Sequence, residues 1–507
     1  MEQAVSPNLN QKNIQHLIGT DIAPYSQEIL NYPEKVIQFG EGNFLRAFVE
    51  WMFHEVNKAG LFKGRVVAVQ PIPQGRAANL NAQDGLYTLI LRGNQNGVTI
   101  NKQEIIPTIS RCLEAYNEWS EVLKCAENPE IEYIISNTTE AGISFNPNDR
   151  LSDTPQESFP GKITAYLYHR FRHFNGDPAK GMVIIPCELI DKNASNLKRI
   201  VLQLAESWNL PVEFNEWVNQ HNFFLNTLVD RIVTGYPASE VSQLENSLGY
   251  LDQNLNTGEI FHLWVIEGDE QMAKRLPFTE VGLNVKWVSD LTPYRTRKVR
   301  ILNGAHTASV AVSYLSGINL VRDAVNDLQV GQFMKDVVFD EIIPTLDLNP
   351  EELKGFAGDV LERFNNPFID HKWLDISLNS VSKYQTRVLP SLKKYLELTG
   401  KVPQKLLFSL AALIAFYHST ELKDNKLIGN RDGQTYLIQD DLQVLNFFAG
   451  LWKKYHENSL SLSDLTTEVL DLIWQGDWKN NPQIQDNLTH QLQSILDKGM
   501  KVALKEL

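Results

Sequence analysis

The fold is decided by the stretch Lys35-Val36-Ile37-Gln38-Phe39-Gly40-Glu41-Gly42-Asn43-Phe44-Leu45-Arg46. Its first half is a short apolar run that is typical of a buried strand. Beyond the glycines, apolar residues recur at helical spacing, at Phe44, Phe48, Trp51, Met52 and Val56. A strand, a glycine-rich turn and a helix in this order form the context in which a dinucleotide binds at a helix N-terminus.

The two glycines of this turn have different expected tasks. Gly40 permits the tight turn, and Gly42 lets the backbone approach a pyrophosphate that faces the helix N-terminus. Leu45 stands where the full motif has its third glycine, so the helix should pack less closely on the strand. The alternative is a glycine-rich turn that holds no ligand.

Strand-like and helical runs alternate from residue 35 to about residue 289, which indicates a parallel sheet with helices on both faces. From residue 293 onward nearly every segment has helical periodicity instead. We therefore predict an α/β protein: a Rossmann-like doubly wound domain with extra strands over residues 1–289, and an all-α domain over residues 290–507. The predicted strands are 36–39, 65–69, 87–91, 97–100, 132–136, 182–186, 262–266 and 285–288.

Composition argues against several classes of partner. The net charge of the 507-residue chain is −14, which disfavours nucleic acid and anionic membranes. The three cysteines lack CxxC spacing, so we expect a reducing cytoplasm and no metal site. We expect no signal peptide, and the longest apolar stretch, 406–417, is too short to cross a bilayer.

A second motif opens the helical half, at Lys298-Val299-Arg300-Ile301-Leu302-Asn303-Gly304-Ala305-His306-Thr307-Ala308. At about 100° per residue, His306 and Asn303 lie about 80° and 140° from Lys298, so all three share one side of an α-helix. A lysine can accept a proton when burial or a cationic neighbour lowers its pKa. Amide and imidazole groups can hold the reacting oxygen of an alcohol or carbonyl. The alternative is a helix with ordinary capping and surface residues.

Together with three further strings, these motifs resemble the long-chain polyol dehydrogenases, the mannitol dehydrogenase family, from about residue 36 to about residue 500. The further strings are Gln83-Asp84-Gly85-Leu86-Tyr87-Thr88-Leu89, Thr139-Glu140-Ala141-Gly142 and Asn226-Thr227-Leu228-Val229-Asp230-Arg231-Ile232. The resemblance implies a metal-independent oxidoreductase with Lys298 as general acid and base, and with Asn303 and His306 holding the reacting oxygen. It also implies NAD as cofactor, bound through Phe39, Gly40, Gly42, Asn43, Phe44, Thr139 and Glu140.

At the substrate end the chain departs from the family. Polyol members carry Glu three residues before the catalytic lysine, where this chain has Arg295. At about 60° on the same α-helix, Arg295 falls within the catalytic arc, whereas Arg297 and Arg300 should be solvated. A guanidinium there suits a carboxylate, and Lys383 matches a lysine of the family's substrate-binding stretch. We therefore predict that Arg295 and Lys383 bind a small sugar acid. The alternative is that both positions are on the surface and have changed without functional consequence.

A second departure concerns the groups that hold the reacting oxygen. Family members place Asn two residues after the position of Cys187, where this chain has Leu189, and the nearest amide is Asn193. Asn193 could supply the missing donor only if its loop shifts. We include it among the predicted substrate-binding residues, with a helix-start residue as the alternative.

The residues leave the choice between NAD and NADP open, and only the resemblance favours NAD. A 2′-hydroxyl is usually read by an acid at the end of the second strand. Here that strand is followed by Gln70 and Pro71, and Arg76 could accept a 2′-phosphate. The site itself should lie in the cleft between the domains, and the oligomeric state is open.

Three other functions compete with a dehydrogenase of keto and hydroxy sugar acids. One is a polyol or polyol-phosphate dehydrogenase of the same fold. Another is a silent nucleotide-binding sensor, against which the intact set Lys298, Asn303 and His306 counts. The third is an isomerase or epimerase that retains NAD, which a test for net NADH formation would separate.

Overall fold

The computed structural model describes residues 6–14, 22, 25–138, 142–475 and 477–507. The chain divides into two units. The first comprises Met1–Gly93 and Thr99–Leu291, and the second comprises Asn94–Val98 and Thr292–Leu507.

A six-stranded sheet forms the centre of the first unit. In chain order its strands are β1 Glu34–Phe39, β2 Arg65–Gln70, β5 Ile109–Glu114, β6 Tyr133–Ser136, β7 Val183–Pro186 and β8 Phe223–Phe224. Their spatial order is β5-β2-β1-β6-β7-β8, and each of these pairs is parallel. Val36 and Ile37 belong to core clusters on opposite faces and are both fully buried. A sheet covered on both faces favours continuous apolar strands, which is why β1 is readable in the sequence.

Two smaller sheets contain the extra strands of the first unit. One has the order β10-β11-β3-β4 and the other β13-β12-β9, and both include parallel and antiparallel pairs. Their bounds are β3 Tyr87–Gln95, β4 Val98–Ile106, β9 Thr227–Asp230, β10 Val233–Gly235, β11 Asn256–Glu259, β12 Leu263–Glu267 and β13 Val285–Val288. The predicted Rossmann-like domain with extra strands is thus confirmed.

The helix predicted after the glycine turn is broken into two pieces. The break falls at Phe48, whose φ and ψ of −125° and −78° are not helical. The α-helices of the first unit are α1 Gln11–Ile14, α2 Asn43–Ala47, α3 Val49–Lys58, α4 Ala77–Ala82, α5 Ala115–Cys125, α6 Phe159–His173, α7 Asn193–Ser207, α8 Val212–His221, α9 Val241–Leu248 and α10 Glu270–Arg275. Short 3-10 helices lie at Gln27–Asn31, Pro178–Lys180 and Phe278–Val281.

The second unit is helical, as predicted, with one exception. The exception is an antiparallel sheet of β14 Leu422–Lys423, β15 Lys426–Arg431 and β16 Gln434–Ile438. Its two turns contain Asp424-Asn425 and Asp432-Gly433, all with positive φ, and such pairs favour tight hairpins. These turn signals were present in the sequence, and the prediction of an all-α domain overlooked them.

Helices make up the rest of the second unit. The α-helices are α11 Thr292–Arg297, α12 Gly304–Leu315, α13 Val321–Asn326, α14 Leu328–Asp336, α15 Pro350–Phe364, α16 Trp373–Ile376, α17 Ser380–Arg387, α18 Leu389–Thr399, α19 Gln404–Phe416, α20 Leu442–His456, α21 Leu462–Trp474, α22 Gln483–Lys498 and α23 Met500–Lys505. Two π-helical turns lie at Lys298–Asn303 and Val337–Ile342, and 3-10 turns at Ile343–Thr345 and Asp477–Asn480. Among the described residues, no helix has the length and apolar character needed to cross a membrane.

Candidate active site

A groove of about 790 Å³ opens at the carboxyl ends of β1, β2 and β6 in the first unit. Gly40, Pro71 and Asn137, which follow these three strands, all line it. The order in which successive strands are added to the main sheet reverses at β1, since β2 lies on one side of it and β6 on the other. Ligands of doubly wound sheets bind at this kind of position. The groove is therefore the candidate nucleotide site.

The backbone conformation and close packing of the protein explain why residue 40 is a glycine. Its φ is +117°, and a Cβ there would lie 3.3 Å from the carbonyl oxygen of Asn137. Its N–H donates to the carbonyl oxygen of Val69 at 2.9 Å. The turn after β1 therefore needs glycine for its conformation and for the close approach of β6.

No contact with the described residues explains why residue 42 is a glycine. Its φ and ψ are −70° and 171°, which any residue adopts. A Cβ there would meet no described atom within 4 Å. Gly42 lines the groove and precedes α2 without a side-chain cap for that helix. Open space on the groove side of a glycine fits a ligand that approaches the backbone, as a pyrophosphate would.

The groove also contains a buried cation that the sequence motifs did not indicate. Lys162 lines the groove, is 1% exposed, and donates from Nζ to the carbonyl oxygen of Glu157 at 2.9 Å. Burial lowers the pKa of Lys162 to about 8, although the charges of Asp149 and Glu157 oppose the shift. A desolvated ammonium gains from an anionic partner, so this side chain suits a bound phosphate.

The other predicted cofactor residues differ in their positions. The ring of Phe39 is fully buried against Phe159 and Tyr166, with centroids 5.7 Å and 6.3 Å away, so Phe39 can reach a ligand only through its backbone. Asn43 accepts a hydrogen bond from Arg46 at 2.6 Å. The remaining three are Phe44, which is half-buried, and Thr139 and Glu140, which lie outside the described residues.

Substituting valine for Gly42 should weaken NADH binding about tenfold or more, a loss of at least ~1.4 kcal/mol. The isopropyl group would enter the open space beside the backbone rather than clash with protein. Fluorescence titration with NADH measures the change. Gly358→Val is the matched control, because that glycine of the second unit also has open space. A folded Gly42→Val protein that binds NADH as tightly as wild type would contradict the assignment.

In the second unit, Lys298 and Asn303 begin and end a π-helical turn. The N–H of Gly304 reaches back to the carbonyl oxygen of Val299, five residues earlier. The predicted angles assumed a regular α-helix and are therefore wrong for this stretch. Single π turns inside α-helices occur frequently at functional sites, and α12 carries His306 immediately afterwards. The three predicted catalytic residues thus share one continuous but irregular helical segment.

His306 lies in an aromatic pocket and is held neutral. Its ring stacks on Phe364 at 4.1 Å between centroids and meets the rings of His371 and Trp373 edge-on. Burial lowers the pKa of His306 well below its usual range, and nearby positive charges lower it further. Its Nε2 is buried without a hydrogen-bond partner among the described residues. A buried imidazole nitrogen without a partner is costly, so a bound substrate oxygen would suit it.

Positive charge surrounds His306. The charges that act on its pKa belong to His371, Arg363, Arg387 and Lys383, in decreasing order. Lys383 was predicted, and the other three were not. Its ammonium donates to the carbonyl oxygen of Ile376 at 2.9 Å, and burial lowers its pKa.

Arg387 is the most informative member of this set. It is half-buried at the end of α17, and burial lowers its pKa with no acidic group opposing the shift. No described residue hydrogen-bonds to its guanidinium, whereas Arg297 of the same unit is paired with Glu352. A partly buried cation without an anion carries an uncompensated desolvation cost. Arg387 is thus ready to receive a carboxylate from outside the protein.

The arginines of the catalytic turn follow the prediction only in part. Arg297, predicted to be solvated, is 2% exposed, pairs with Glu352 at 2.9 Å and lies over the Phe356 ring. Arg300 is half-buried and donates to the carbonyl oxygen of Thr386 at 2.7 Å. The expectation of a solvated side chain is wrong for Arg297, whereas Arg300 keeps part of its surface exposed. Arg295 is half-buried, and its role in substrate binding remains a prediction.

Asn193 belongs to the scaffold. It is fully buried, and its amide donates to the carbonyl oxygens of Pro186 and Glu188. Its carbonyl oxygen accepts from the N–H of Thr227 at 3.0 Å. Asn193 is the first residue of α7, and its amide group is fully used in hydrogen bonds within the protein. The predicted substrate contact is therefore wrong, and the alternative of a helix-start residue is correct.

Among the described residues, one group of side chains has the composition of a metal site, formed by His54, Glu55 and Glu104. The Nζ of Lys58 lies 2.6 Å from Glu55 and 2.8 Å from Glu104, and Lys102 lies 3.1 Å from Glu104. Two ammonium groups already neutralise the two carboxylates there. The cluster is therefore an ion-pair network within the first unit.

Comparison with known proteins gives concordant matches over nearly the whole chain. The family model of the mannitol dehydrogenase Rossmann domain matches residues 34–280, and that of the mannitol dehydrogenase C-terminal domain matches residues 290–496. The protein named altronate oxidoreductase from Enterobacter sp. (strain 638) is 46% identical over 94% of this chain and 97% of its own length. Its namesake from Escherichia coli O6:K15:H31 is 44% identical over 94% and 97%.

Two solved structures share the fold at low identity. One is D-sorbitol dehydrogenase in substrate-free form, with a TM-score of 0.80 and 22% identity over 98% of this chain and 100% of that chain. The other is Pseudomonas fluorescens mannitol 2-dehydrogenase in ternary complex with NAD and D-mannitol. Its TM-score is 0.66 and its identity 22%, over 98% and 99% of the two chains.

Proposed function

We infer the function from one premise: the chain belongs to the mannitol dehydrogenase family. It is an oxidoreductase that acts on CH–OH groups. We propose that its substrates are D-altronate and D-tagaturonate, which it interconverts in hexuronate catabolism. The strings at residues 37–49, 136–144, 185–191 and 302–308 resemble those of bacterial tagaturonate reductase, also called altronate oxidoreductase. The names of relatives matched over 97% of their own length agree.

In this proposal the first unit holds the dinucleotide. Support comes from the groove at the ends of β1, β2 and β6, the open space at Gly42, and the buried ammonium of Lys162. We propose NAD as the cofactor. When bound, a nicotinamide supplies or accepts the hydride.

The second unit then supplies the proton and binds the sugar acid. During reduction, Lys298 gives its proton to the ketone oxygen as the hydride reaches the carbonyl carbon, and during oxidation it takes the hydroxyl proton back. The amide of Asn303 and the unpartnered Nε2 of His306 hold that oxygen. Because His306 is neutral, it can orient the oxygen without competing with Lys298 as an acid.

The substrate class is inferred from the guanidinium of Arg387, which lies near His306 and has no hydrogen-bond or ion-pair partner among the described residues. A carboxylate is the group that both Arg387 and Lys383 would bind, and hydrogen bonds between charged partners are the strong ones. A neutral polyol would leave the partly buried charge of Arg387 uncompensated. Arg295 stays a predicted third cation of this set.

We also propose that the protein works in the cytoplasm. Its three cysteines, Cys112, Cys125 and Cys187, are all buried free thiols. Free thiols without disulfides fit a reducing compartment.

The deciding experiment follows NADH oxidation with tagaturonate, fructuronate, fructose and fructose 6-phosphate as substrates. We expect the highest kcat/KM with tagaturonate, by about 100-fold or more over the neutral ketose, because the ketose lacks the charged partner for Arg387. A preference for fructuronate would assign the protein to mannonate oxidoreductase, and a preference for fructose or its phosphate to the polyol branch. If NADH is not oxidised with any of the four substrates, the result would favour a nucleotide sensor.

A further inference from the structure

The end of β2 leaves the ribose of a dinucleotide without its usual protein partner. Gln70 stands at the strand end, and its amide is used internally. Its oxygen accepts from the N–H of Ala77 at 3.1 Å, and its nitrogen donates to the carbonyl oxygen of Ile72 at 3.1 Å. Pro71 follows without a polar side chain. The strand end therefore offers no acid for a 2′-hydroxyl, although NAD-dependent folds usually place one there.

A carboxylate reaches the same region from the glycine turn. Glu41 is 8% exposed, and it lines the groove together with Pro71 and Ile72. Its Oε1 accepts a hydrogen bond from the backbone N–H of Arg76 at 3.1 Å. This bond ties the carboxylate to the loop that follows β2, on the side where the adenosine ribose of a Rossmann dinucleotide lies.

The loop after β2 is shaped around this carboxylate. A Cβ on Gly75 would overlap with Oε1 of Glu41 and with the amide of Gln70. Gly75 has no positive φ that would explain the glycine. Its lack of a side chain therefore serves the placement of Glu41 and Gln70.

Arg76, which follows the second strand and is a candidate for binding a 2′-phosphate, has its guanidinium on other partners. Its guanidinium donates to the carbonyl oxygen of Gln253 at 3.0 Å and lies 5.7 Å from the centre of the Tyr236 ring. Only the backbone of Arg76 serves the ribose side of the groove, where it holds Glu41 in place. Burial raises the pKa of the Glu41 carboxyl, and the bond from the backbone N–H of Arg76 and the charges of Arg46 and Arg76 oppose that shift.

We propose that Glu41 determines the cofactor preference: its carboxylate accepts a hydrogen bond from the 2′-hydroxyl of NAD and repels the 2′-phosphate of NADP. The acid that other folds carry at the end of the second strand is here supplied by the glycine turn itself. This inference rests on the proposed function only in requiring a dinucleotide in the groove of the first unit. It does not depend on which sugar acid is reduced.

The test measures the dissociation constants of NADH and NADPH by fluorescence titration of the full-length protein, without substrate. Wild type should bind NADH more tightly than NADPH. In Glu41→Gln, NADH affinity should fall and NADPH affinity should hold or rise. The dissociation constant of NADPH divided by that of NADH should fall about tenfold or more, as expected when a charged hydrogen-bond partner is replaced.

Two further variants separate this role from a general effect of charge or folding. Glu157→Gln removes one negative charge from an exposed side chain that lines the same groove, and it should shift both constants alike. Gly75→Ala keeps the carboxylate of Glu41 but displaces it. It should therefore lower the ratio of the NADPH to the NADH dissociation constant, as Glu41→Gln does. A cooperative thermal unfolding transition would show that the variant is folded.

Each outcome decides a different question. A Glu41→Gln protein that binds both nucleotides with the wild-type ratio overturns the role of Glu41. A wild-type protein that binds NADPH as well as NADH also overturns it. Normal NADH binding without reduction of tagaturonate contradicts the proposed substrate and leaves the inference about Glu41 standing.

Discussion

Replacing Lys298 with alanine should lower kcat for tagaturonate reduction about 10²- to 10⁴-fold, the usual contribution of a general acid or base. NADH binding should stay close to wild type, because the groove that we assign to the dinucleotide is formed by other residues. Turnover in both directions and NADH titration measure the two quantities. The loss should be similar in oxidation and reduction, since the same proton moves in opposite directions.

The control for this variant is Lys354→Ala. Lys354 is an exposed lysine of the same unit that pairs with Glu351 within one helix, and exposed pairs of this kind contribute little. Small primary amines added to Lys298→Ala should restore part of the rate if the missing group is a proton donor. Near-normal turnover of Lys298→Ala would end the assignment of Lys298 as acid and base.

Replacing Arg387 with glutamine should raise KM for tagaturonate about ten- to a hundredfold, which corresponds to ~1.5–3 kcal/mol for a hydrogen bond to a charged group. The variant should have little effect on any residual reduction of fructose, which has no carboxylate. The reason is the position of Arg387 beside His306 without an acidic partner in the described part of the chain. Michaelis constants for the charged and the neutral substrate measure the difference.

The same measurement ranks the other cations predicted to bind the carboxylate. Arg295→Gln and Lys383→Met should each show the selective effect if they share the substrate with Arg387. Arg199→Gln is the control, since Arg199 is exposed in the first unit and donates a hydrogen bond to Gln203. Equal, small effects of Arg387→Gln on both substrates would show that another cation carries the recognition.

The first unit was largely predictable because its signals are local. Buried parallel strands read as apolar runs, and the glycine turn after β1 occupies its expected place at the groove. The missed hairpins of the second unit also had local signals, in Asp424-Asn425 and Asp432-Gly433. Helical periodicity in the flanking segments therefore does not exclude short strands where such turn pairs occur.

The candidate catalytic and substrate residues of the second unit could not be predicted in the same way. Nothing in the residue types at Lys298–Asn303 marks a π turn, so an α-helical wheel placed Arg297 in solvent although it is buried and paired with Glu352. Arg387 reaches the site through packing: a Cβ on Gly304 would lie 3.2 Å from the carbonyl oxygen of Arg387. Such proximity depends on the tertiary fold and has no spacing rule.

The π turn also bears on attempts to engineer a more heat-tolerant enzyme. A π turn contains one residue more than the α turn that it replaces, so deletion of Val299 would allow regular α-helical hydrogen bonding. The same deletion would rotate Lys298 relative to His306 by about 100°. Selection for thermal tolerance alone would therefore favour loss of the extra residue, and only selection for turnover would retain it.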